Sequence, residues 1–258
     1  KGHKFEWVER KHDENAGDVL KVEHLKVNEK INDISFTLKH GEIVGFAGLM
    51  GSGRTEILES LFGLRKKEGG TVILEDKEVH IKNPTDAIQN GFAFIPEDRR
   101  KEGLVLMHSI KDNAVLPILD RLSIKGIFND DKRECALVED NIKKFGVKAE
   151  HINQEIGLLS GGNQQKIVIA KWMNTSPKVI MLDEPTAGVD IGAKGEILEI
   201  VRSFADQGCG VIFVSSELAE MMAICDRIII LYDGRITGMI SRKDIKLEEE
   251  LQNAIQMA

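Results

Sequence analysis

The most constraining stretch of this chain is Glu42–Thr55. An apolar run, Glu42–Ala47, passes directly into Gly48-Leu49-Met50-Gly51-Ser52-Gly53-Arg54-Thr55, and a helix is expected over Thr55–Phe62. A strand, a glycine-rich turn and a helix start aim several backbone N–H groups at one point, at the positive end of the helix dipole. That is a cradle for phosphate. Gly48, Gly51 and Gly53 permit the tight turn and a close backbone approach, with Ser52 inside the same loop. Thr55 is placed to set its hydroxyl on Mg²⁺. The loop has the form G-x-x-x-x-G-K-[ST] except that Arg54 stands at the lysine position. Lysine is a compact charge that follows moving phosphates, whereas arginine is longer, planar and fixed in a fork. Phosphate neutralisation survives that exchange better than support of a transferring phosphoryl group.

A second run, Val179–Leu182, is a buried strand by composition and delivers Asp183-Glu184 at its end. In the phosphate-loop scheme Asp183 holds Mg²⁺ through water, and Glu184 orients or deprotonates an attacking water. Between the two lies Leu159-Ser160-Gly161-Gly162-Asn163-Gln164-Gln165. Ser160 and the N–H groups of Gly161 and Gly162, at a helix start, form a second anion-binding corner. One chain does not easily close both corners on one phosphate chain, so a partner is implied.

The remaining pattern favours an α/β fold. Val19–Leu25 and Ile34–Leu38 read as strands, and Thr71–Leu74 with Glu78–Ile81 as a hairpin around Glu75-Asp76-Lys77. Thr85–Asn90 reads as a short helix, Phe92–Ile95 as a buried strand, and Lys111–Arg121 and Lys132–Phe145 as helices, the first capped by Ser109 with Asp112. From Val179 onward strand and helix alternate: helix Ala193–Gln207, strand Gly210–Val214, helix Leu218–Ile224, strand Arg227–Tyr232. A terminal helix is expected at Glu248–Met257. Such alternation predicts a parallel sheet with helices on both faces. Residues 1–18 read as a polar linker or arm. The first residue is Lys1, not Met, so either a processed chain or, as the favoured expectation, a piece cut from a longer polypeptide is implied.

Composition excludes several classes. A net charge of −7, with scattered basic residues, argues against a nucleic-acid-coating surface. No apolar run approaches the roughly 18 residues of a membrane span, and no signal peptide is visible. The three cysteines, Cys135, Cys209 and Cys225, form no C-x-x-C pair and read as apolar fillers in a reducing compartment. Histidines show no pair at ligand spacing on a shared helix, and Met221-Met222 and Trp172 fit packing.

Taken together, these motifs resemble those of ABC transporter ATPases over nearly the whole chain. Leu-Ser-Gly-Gly-Asn-Gln-Gln-Lys, Gly-Leu-Met-Gly-Ser-Gly-Arg-Thr-Glu and Pro-Glu-Asp-Arg-Arg are similar to the second ATPase half of the fused two-cassette subunit of bacterial monosaccharide importers. The resemblance implies a P-loop NTPase core with an N-terminal antiparallel β subdomain and an inserted helical subdomain at about 103–173, within a nucleotide-binding domain over 19–258. It implies ATP and Mg²⁺ as cofactors, and a dimer in which each site takes its Leu-Ser-Gly-Gly from the other cassette. Ser160, Gly161, Gly162 and Gln164 would act in trans, and Asp190 would sit in the loop that communicates across the dimer. Implied partners are a preceding cassette of the same polypeptide, transmembrane permease subunits and, indirectly, a sugar-binding protein. The chain would work peripherally at the cytoplasmic face of the membrane.

Three positions depart from the family pattern. Glu97 replaces a glutamine that contacts Mg²⁺, Ser216 replaces a histidine that supports the γ-phosphate, and Arg54 replaces the loop lysine. The 24–28 region, where an adenine-stacking aromatic belongs, offers only His24. Losing one preorganised catalytic group commonly costs about 10²–10³ in rate, so weak or absent hydrolysis at this site is expected. A self-sufficient homodimeric ATPase and a non-transport ABC protein remain as alternatives. Arg99-Arg100-Lys101 is either a solvated charge run or a contact with the membrane partner.

Overall fold

The computed structural model of the chain describes residues 16–124 and 128–257. Of the expected linker 1–18, residues 1–15 lie outside the described residues. In chain order, β1 (Asp18–Lys26), β2 (Ile34–Lys39) and β3 (Ile43–Gly48) lead to α1 (Arg54–Phe62). Next come β4 (Gly69–Leu74), β5 (Lys77–Glu78), α2 (Pro84–Asn90) and β6 (Phe92–Ile95). The middle of the chain holds α3 (Ile110–Val115), α4 (Leu119–Leu122), the two-residue strands β7 (Ser123–Ile124) and β8 (Phe128–Asn129), α5 (Asp131–Lys144) and α6 (Gly161–Met173). It ends with β9 (Val179–Asp183), α7 (Ile191–Asp206), β10 (Gly210–Val214), α8 (Leu218–Ile224), β11 (Arg227–Tyr232), β12 (Arg235–Ser241) and α9 (Glu248–Gln256).

Two compact units result. Among the described residues, the first takes in those up to Phe94, Pro177–Glu184 and those from Val201 onward, and the second those within Ile95–Ser176 and Pro185–Ile200.

The first unit is built on a six-stranded sheet in the order β12-β11-β3-β10-β9-β6. Every residue of β6, β9 and β10 is buried, as apolar runs covered on both faces require. β11, β3, β10 and β9 are parallel neighbours. A smaller antiparallel sheet, β2-β1-β4-β5, alternates buried and exposed residues along β1 and β2. It meets the larger sheet closely: a Cβ on Gly210 would lie 2.6 Å from Val19 and 2.8 Å from Leu38. Phe36 of β2 and Phe46 of β3 stack edge to face at 5.2 Å. Arg227 joins the layers, its Nε donating to Glu42 at 2.9 Å and its Nη2 to the Thr37 carbonyl at 2.7 Å.

Three expectations need correction. The large sheet is not wholly parallel, because β12 runs antiparallel to β11 along its edge. The signal was present: Asp233-Gly234, with φ of 46° and 74°, is the tight two-residue turn that closes a hairpin. Helix Lys111–Arg121 is divided into α3, a 3₁₀ turn at Leu116–Ile118, and α4, since Pro117 lacks the N–H that a continuous helix needs. The hairpin after β4 turns at Glu75-Asp76, both at positive φ, and its second arm ends at Glu78 rather than Ile81.

The second unit is mainly helical. Ser109 caps α3, its Oγ accepting from the Asp112 N–H at 3.0 Å. Lys171 on α6 is buried and donates through Nζ to the Gly103 carbonyl. Burial pushes its pKa from 10.5 down to about 8. The folded chain thus gives up this proton between pH 8 and 10.5 while the unfolded chain keeps it, so the cost of burying the charge is present below pH 8 and fades as pH rises. Lys171→Met removes that cost together with the bond to Gly103. We expect the unfolding free energy of the variant relative to the parent to fall by about 3 kcal/mol between pH 8 and 10.5, measured by urea denaturation; a flat difference would refute it.

Candidate functional site: a phosphate loop and a glycine-flanked serine

Parallel pairing sets the first cluster. Val214 is in register with Phe46 on one side and Asp183 on the other, while Gly48 pairs with Leu231. The glycine-rich loop, the Asp183-Glu184 pair and Ser215-Ser216 therefore leave the sheet at the same edge. Two strand spacings, roughly 10 Å, separate β3 from β9. In open α/β sheets this carboxyl edge is where ligands bind.

The loop after β3 is shaped by its glycines. Gly51 and Gly53 have φ of 77° and 102°. A Cβ at Gly48 would lie 2.3 Å from the Leu231 carbonyl oxygen, whereas one at Gly51 would meet nothing within 4 Å. One glycine thus closes the loop onto β11 and the other opens a space. Arg54 begins α1 and, with Thr55, is half-buried. The Ser52 hydroxyl is buried and has no hydrogen-bond partner among the described residues. An unmet donor beside an open backbone cradle fits a phosphate oxygen. No three His, Cys, Asp or Glu side chains gather as a metal cage among the described residues. Mg²⁺ in such a site usually asks only one or two oxygens of the protein, and Thr55 and Asp183 are the residues that would offer them.

Glu184 is half-buried at φ 46°, its N–H donating to the Val214 carbonyl at 3.0 Å. Ser216 Oγ donates to Glu184 Oε2 at 3.1 Å. Ser216 is presented outward because Ser215 beneath it is buried, its Oγ donating to Glu220 at 2.7 Å and accepting from the Glu217 N–H.

The second cluster lies wholly in the second unit. Ser160 is exposed and precedes α6, but its side chain makes no capping bond to the helix backbone. Instead Asn163 Nδ2 donates to Ser160 Oγ at 2.9 Å, and Asn163 Oδ1 accepts from the Lys148 N–H at 2.9 Å. A recess of about 250 Å³ is lined here by Lys148, Ser160, Gly162, Asn163, Lys166 and Asp190. Asp190 Oδ1 accepts from the Ala193 N–H at 3.0 Å, fixing the start of α7. Gln164 is not presented: it is buried, and its amide donates to the Leu159 carbonyl at 3.1 Å and the Ile156 carbonyl at 3.3 Å. Glu97 is exposed just after β6.

One residue at these clusters escaped the sequence. Lys30 Nζ donates to the Gly51 carbonyl at 2.7 Å and pairs with Asp233 at 2.9 Å, bracing the phosphate loop. Nothing in the β1–β2 connection signals this. Tyr232, distant in sequence, shares a surface recess with Lys30 and Arg235. Arg99, expected either in a solvated charge run or at a membrane partner, is instead bonded to the carbonyls of Ala187 and Gly188. His24 turns to Asp33, at 2.9 Å, with its side chain exposed.

The architecture recurs in solved structures. cbiO1 from Clostridium perfringens, described as part of the ABC transporter complex cbiONQ, superposes with a TM-score of 0.75 at 20% identity, over 93% of this chain and 95% of that one. The dimeric ATP-binding cassette MJ0796 in a post-hydrolysis state, bound to ADP and Pi, gives 0.74 at 20% identity over 88% and 100%. The fold is therefore that of an ABC-type P-loop ATPase, with an antiparallel β part and a helical part. The ABC transporter family model matches residues 31–187, and the chain belongs to that family. It is 46% identical over 239 residues to the ribose import ATP-binding protein RbsA of Caldanaerobacter subterraneus subsp. tengcongensis, covering 92% of this chain and 48% of that protein. To the xylose import ATP-binding protein XylG of Geobacillus kaustophilus it is 45% identical over 239 residues, covering 90% and 47%. The chain spans about half the length of the curated relatives it matches.

The unmet Ser52 hydroxyl carries a prediction. Ser52→Ala deletes a buried donor that has no partner, so the thermal midpoint without nucleotide is expected to hold or rise. The stabilisation produced by ATP with Mg²⁺ should shrink, read by differential scanning fluorimetry. An unchanged nucleotide shift would remove Ser52 from the phosphate cradle.

Proposed function

We propose that this chain is the second nucleotide-binding cassette of a fused two-cassette ATP-binding subunit of a bacterial monosaccharide importer. Its domain proper would run over 19–258, with the helical subdomain at about 103–173. The observation that carries the sugar-import reading is its similarity to ribose and xylose import ATP-binding proteins, of which it spans about half. In this reading the preceding cassette lies on the same polypeptide. Permease subunits receive the work, and a sugar-binding protein delivers the substrate. No helix among the described residues is long and apolar enough to cross a membrane, which agrees with peripheral attachment to the permease at the cytoplasmic face.

Within this reading the cassette's two clusters have different duties. Gly48, Gly51, Ser52, Gly53, Arg54 and Thr55 hold the phosphates of its own ATP, with Asp183 and Thr55 toward Mg²⁺. Bound Mg²⁺ would neutralise phosphate charge. Glu184 is the base that would act on water, and Ser216 occupies the place of the supporting group. A serine hydroxyl is too short to bridge the carboxylate and a γ-phosphate as an imidazole can, and its bond to Glu184 Oε2 leaves it serving the base alone. With Arg54 and Glu97 also altered, hydrolysis at this site is slow. The recess around Ser160, Gly161 and Gly162 is instead offered to the ATP held by the preceding cassette. Asp190 lies in the same recess.

A single-turnover measurement on the full polypeptide separates these duties. Glu184→Gln should slow ATP hydrolysis by less than about twofold, while Ser160→Arg should abolish it, because catalysis in the other pocket loses an electrostatic donor worth roughly 10²–10³ in rate. Abolition by both changes would instead favour a self-sufficient homodimeric ATPase, in which every site needs both residues, and abolition by Glu184→Gln with retention in Ser160→Arg would overturn the assignment.

A further inference from the structure

In the charge run Arg99-Arg100-Lys101 the second and third residues are exposed, but the first is half-buried and turned to backbone carbonyls. Arg99 opens a single π-type turn, Arg99–Gly103, whose start is fixed by Asp98: its Oδ1 accepts from the backbone N–H groups of Arg100 at 3.1 Å and Lys101 at 3.2 Å. From that anchored backbone the guanidinium reaches the loop between Glu184 and α7. Nη1 donates to the Ala187 carbonyl at 2.7 Å and Nη2 to the Gly188 carbonyl at 3.1 Å. Gly188 sits between them and Asp190 at φ 64°.

The same guanidinium explains why Gly161 is glycine. A Cβ there would lie 2.6 Å from Arg99 Nη2 and 3.1 Å from the Gly188 carbonyl oxygen. At Gly162 a Cβ would lie 2.5 Å from the Ala193 Cβ, three residues beyond Asp190. Both glycines therefore serve packing as well as anion binding: they let the start of α6 close onto the loop that Arg99 holds. Two adjacent carbonyls taken by two nitrogens of one planar fork is a geometry that a lysine ammonium does not reproduce. The fork also sets a positive charge beside the N-terminus of α6, an arrangement the helix dipole opposes unless an anion arrives.

We propose that Arg99 is a positioning residue, clamping loop 185–190 against Gly161 so that Ser160, Gly161, Gly162 and Asp190 meet the partner cassette's nucleotide as one rigid surface. This inference rests on the reading that the recess acts in trans. It gives the segment after Glu97 a direct mechanical hold on that surface. Movement of Arg99 shifts the Gly188 carbonyl and the space in front of Gly161 together.

The test is steady-state ATP turnover by the full polypeptide, with nucleotide binding measured separately under non-hydrolysing conditions. Arg99→Ala should lower kcat about 10- to 100-fold, the scale of losing charge-assisted hydrogen bonds, with nucleotide affinity changed less than about twofold. Arg99→Lys keeps the charge and one carbonyl, so it should recover turnover only in part and fold even if Arg99→Ala does not. Gly161→Ala should be less harmful in the Arg99→Ala or Arg99→Lys background than in the parent, because the shortened or slimmer side chain yields room for the new methyl. A merely structural arginine would lower nucleotide affinity and thermal midpoint along with kcat and show additive effects. Unchanged kcat in Arg99→Ala, full activity in Arg99→Lys, or additivity with Gly161→Ala overturns the clamp. Ser160→Arg separates the two levels. If it abolishes turnover while Arg99→Ala is silent, the clamp alone falls; if it leaves turnover intact, the reading in trans falls and the clamp with it.

Discussion

Burial on both faces of β3, β9 and β10 is the constraint on which the first unit depends. A strand with no solvent side must be apolar throughout and must satisfy every backbone group with neighbouring strands. Parallel pairing at a fixed register then follows, and with it the position of every loop that leaves the sheet. Because Val214 is paired with both Phe46 and Asp183, the glycine loop, the carboxylates and the serine pair share one edge without any contact of their own being needed. Buried packing thus aims the chemistry before a single polar interaction is made.

Glycine then decides how closely polar pieces approach. At Gly48 a side chain would collide with the Leu231 carbonyl, and at Gly161 with Arg99. In the first case space is made for the turn into a phosphate cradle, in the second for a guanidinium. Sequence motifs describe such glycines as phosphate-binding signatures. In the structure their first duty is steric, and the ligand takes the room that remains.

Charged residues around the two clusters act as supports. Lys30 braces the Gly51 carbonyl, Arg99 the Ala187 and Gly188 carbonyls, and Glu220 the Ser215 hydroxyl. Burial raises the Cys209 thiol to about 12 and pushes the Cys225 thiol well above its ordinary range. Both are held as packing groups, consistent with their reading as apolar fillers. A cationic group set under a loop carbonyl costs desolvation but fixes the loop in one conformation, and a preorganised loop loses little entropy on meeting its ligand.

Local chemistry determined a great deal by itself. The phosphate loop, β6, β10, α8 and β11 are legible because apolar runs and turn residues point the same way over a few neighbouring positions. The α/β class follows from their alternation. What the sequence could not decide depends on residues far apart in the chain. β12 is an edge strand recognisable only by its Asp-Gly turn, and its partner exists only once β11 lies in the sheet. Lys30 and Arg99 find their carbonyls 21 and 88 or 89 residues away, and no periodicity encodes such a pairing. Gln164 stands in the signature motif yet turns inward to the carbonyls of Ile156 and Leu159, because a motif gives residue order while the face of the helix gives direction. Backbone preference and hydrophobic pattern are local and additive, so they survive in one dimension. Side-chain reach, register and steric room are relations between elements, and they exist only after the elements have packed.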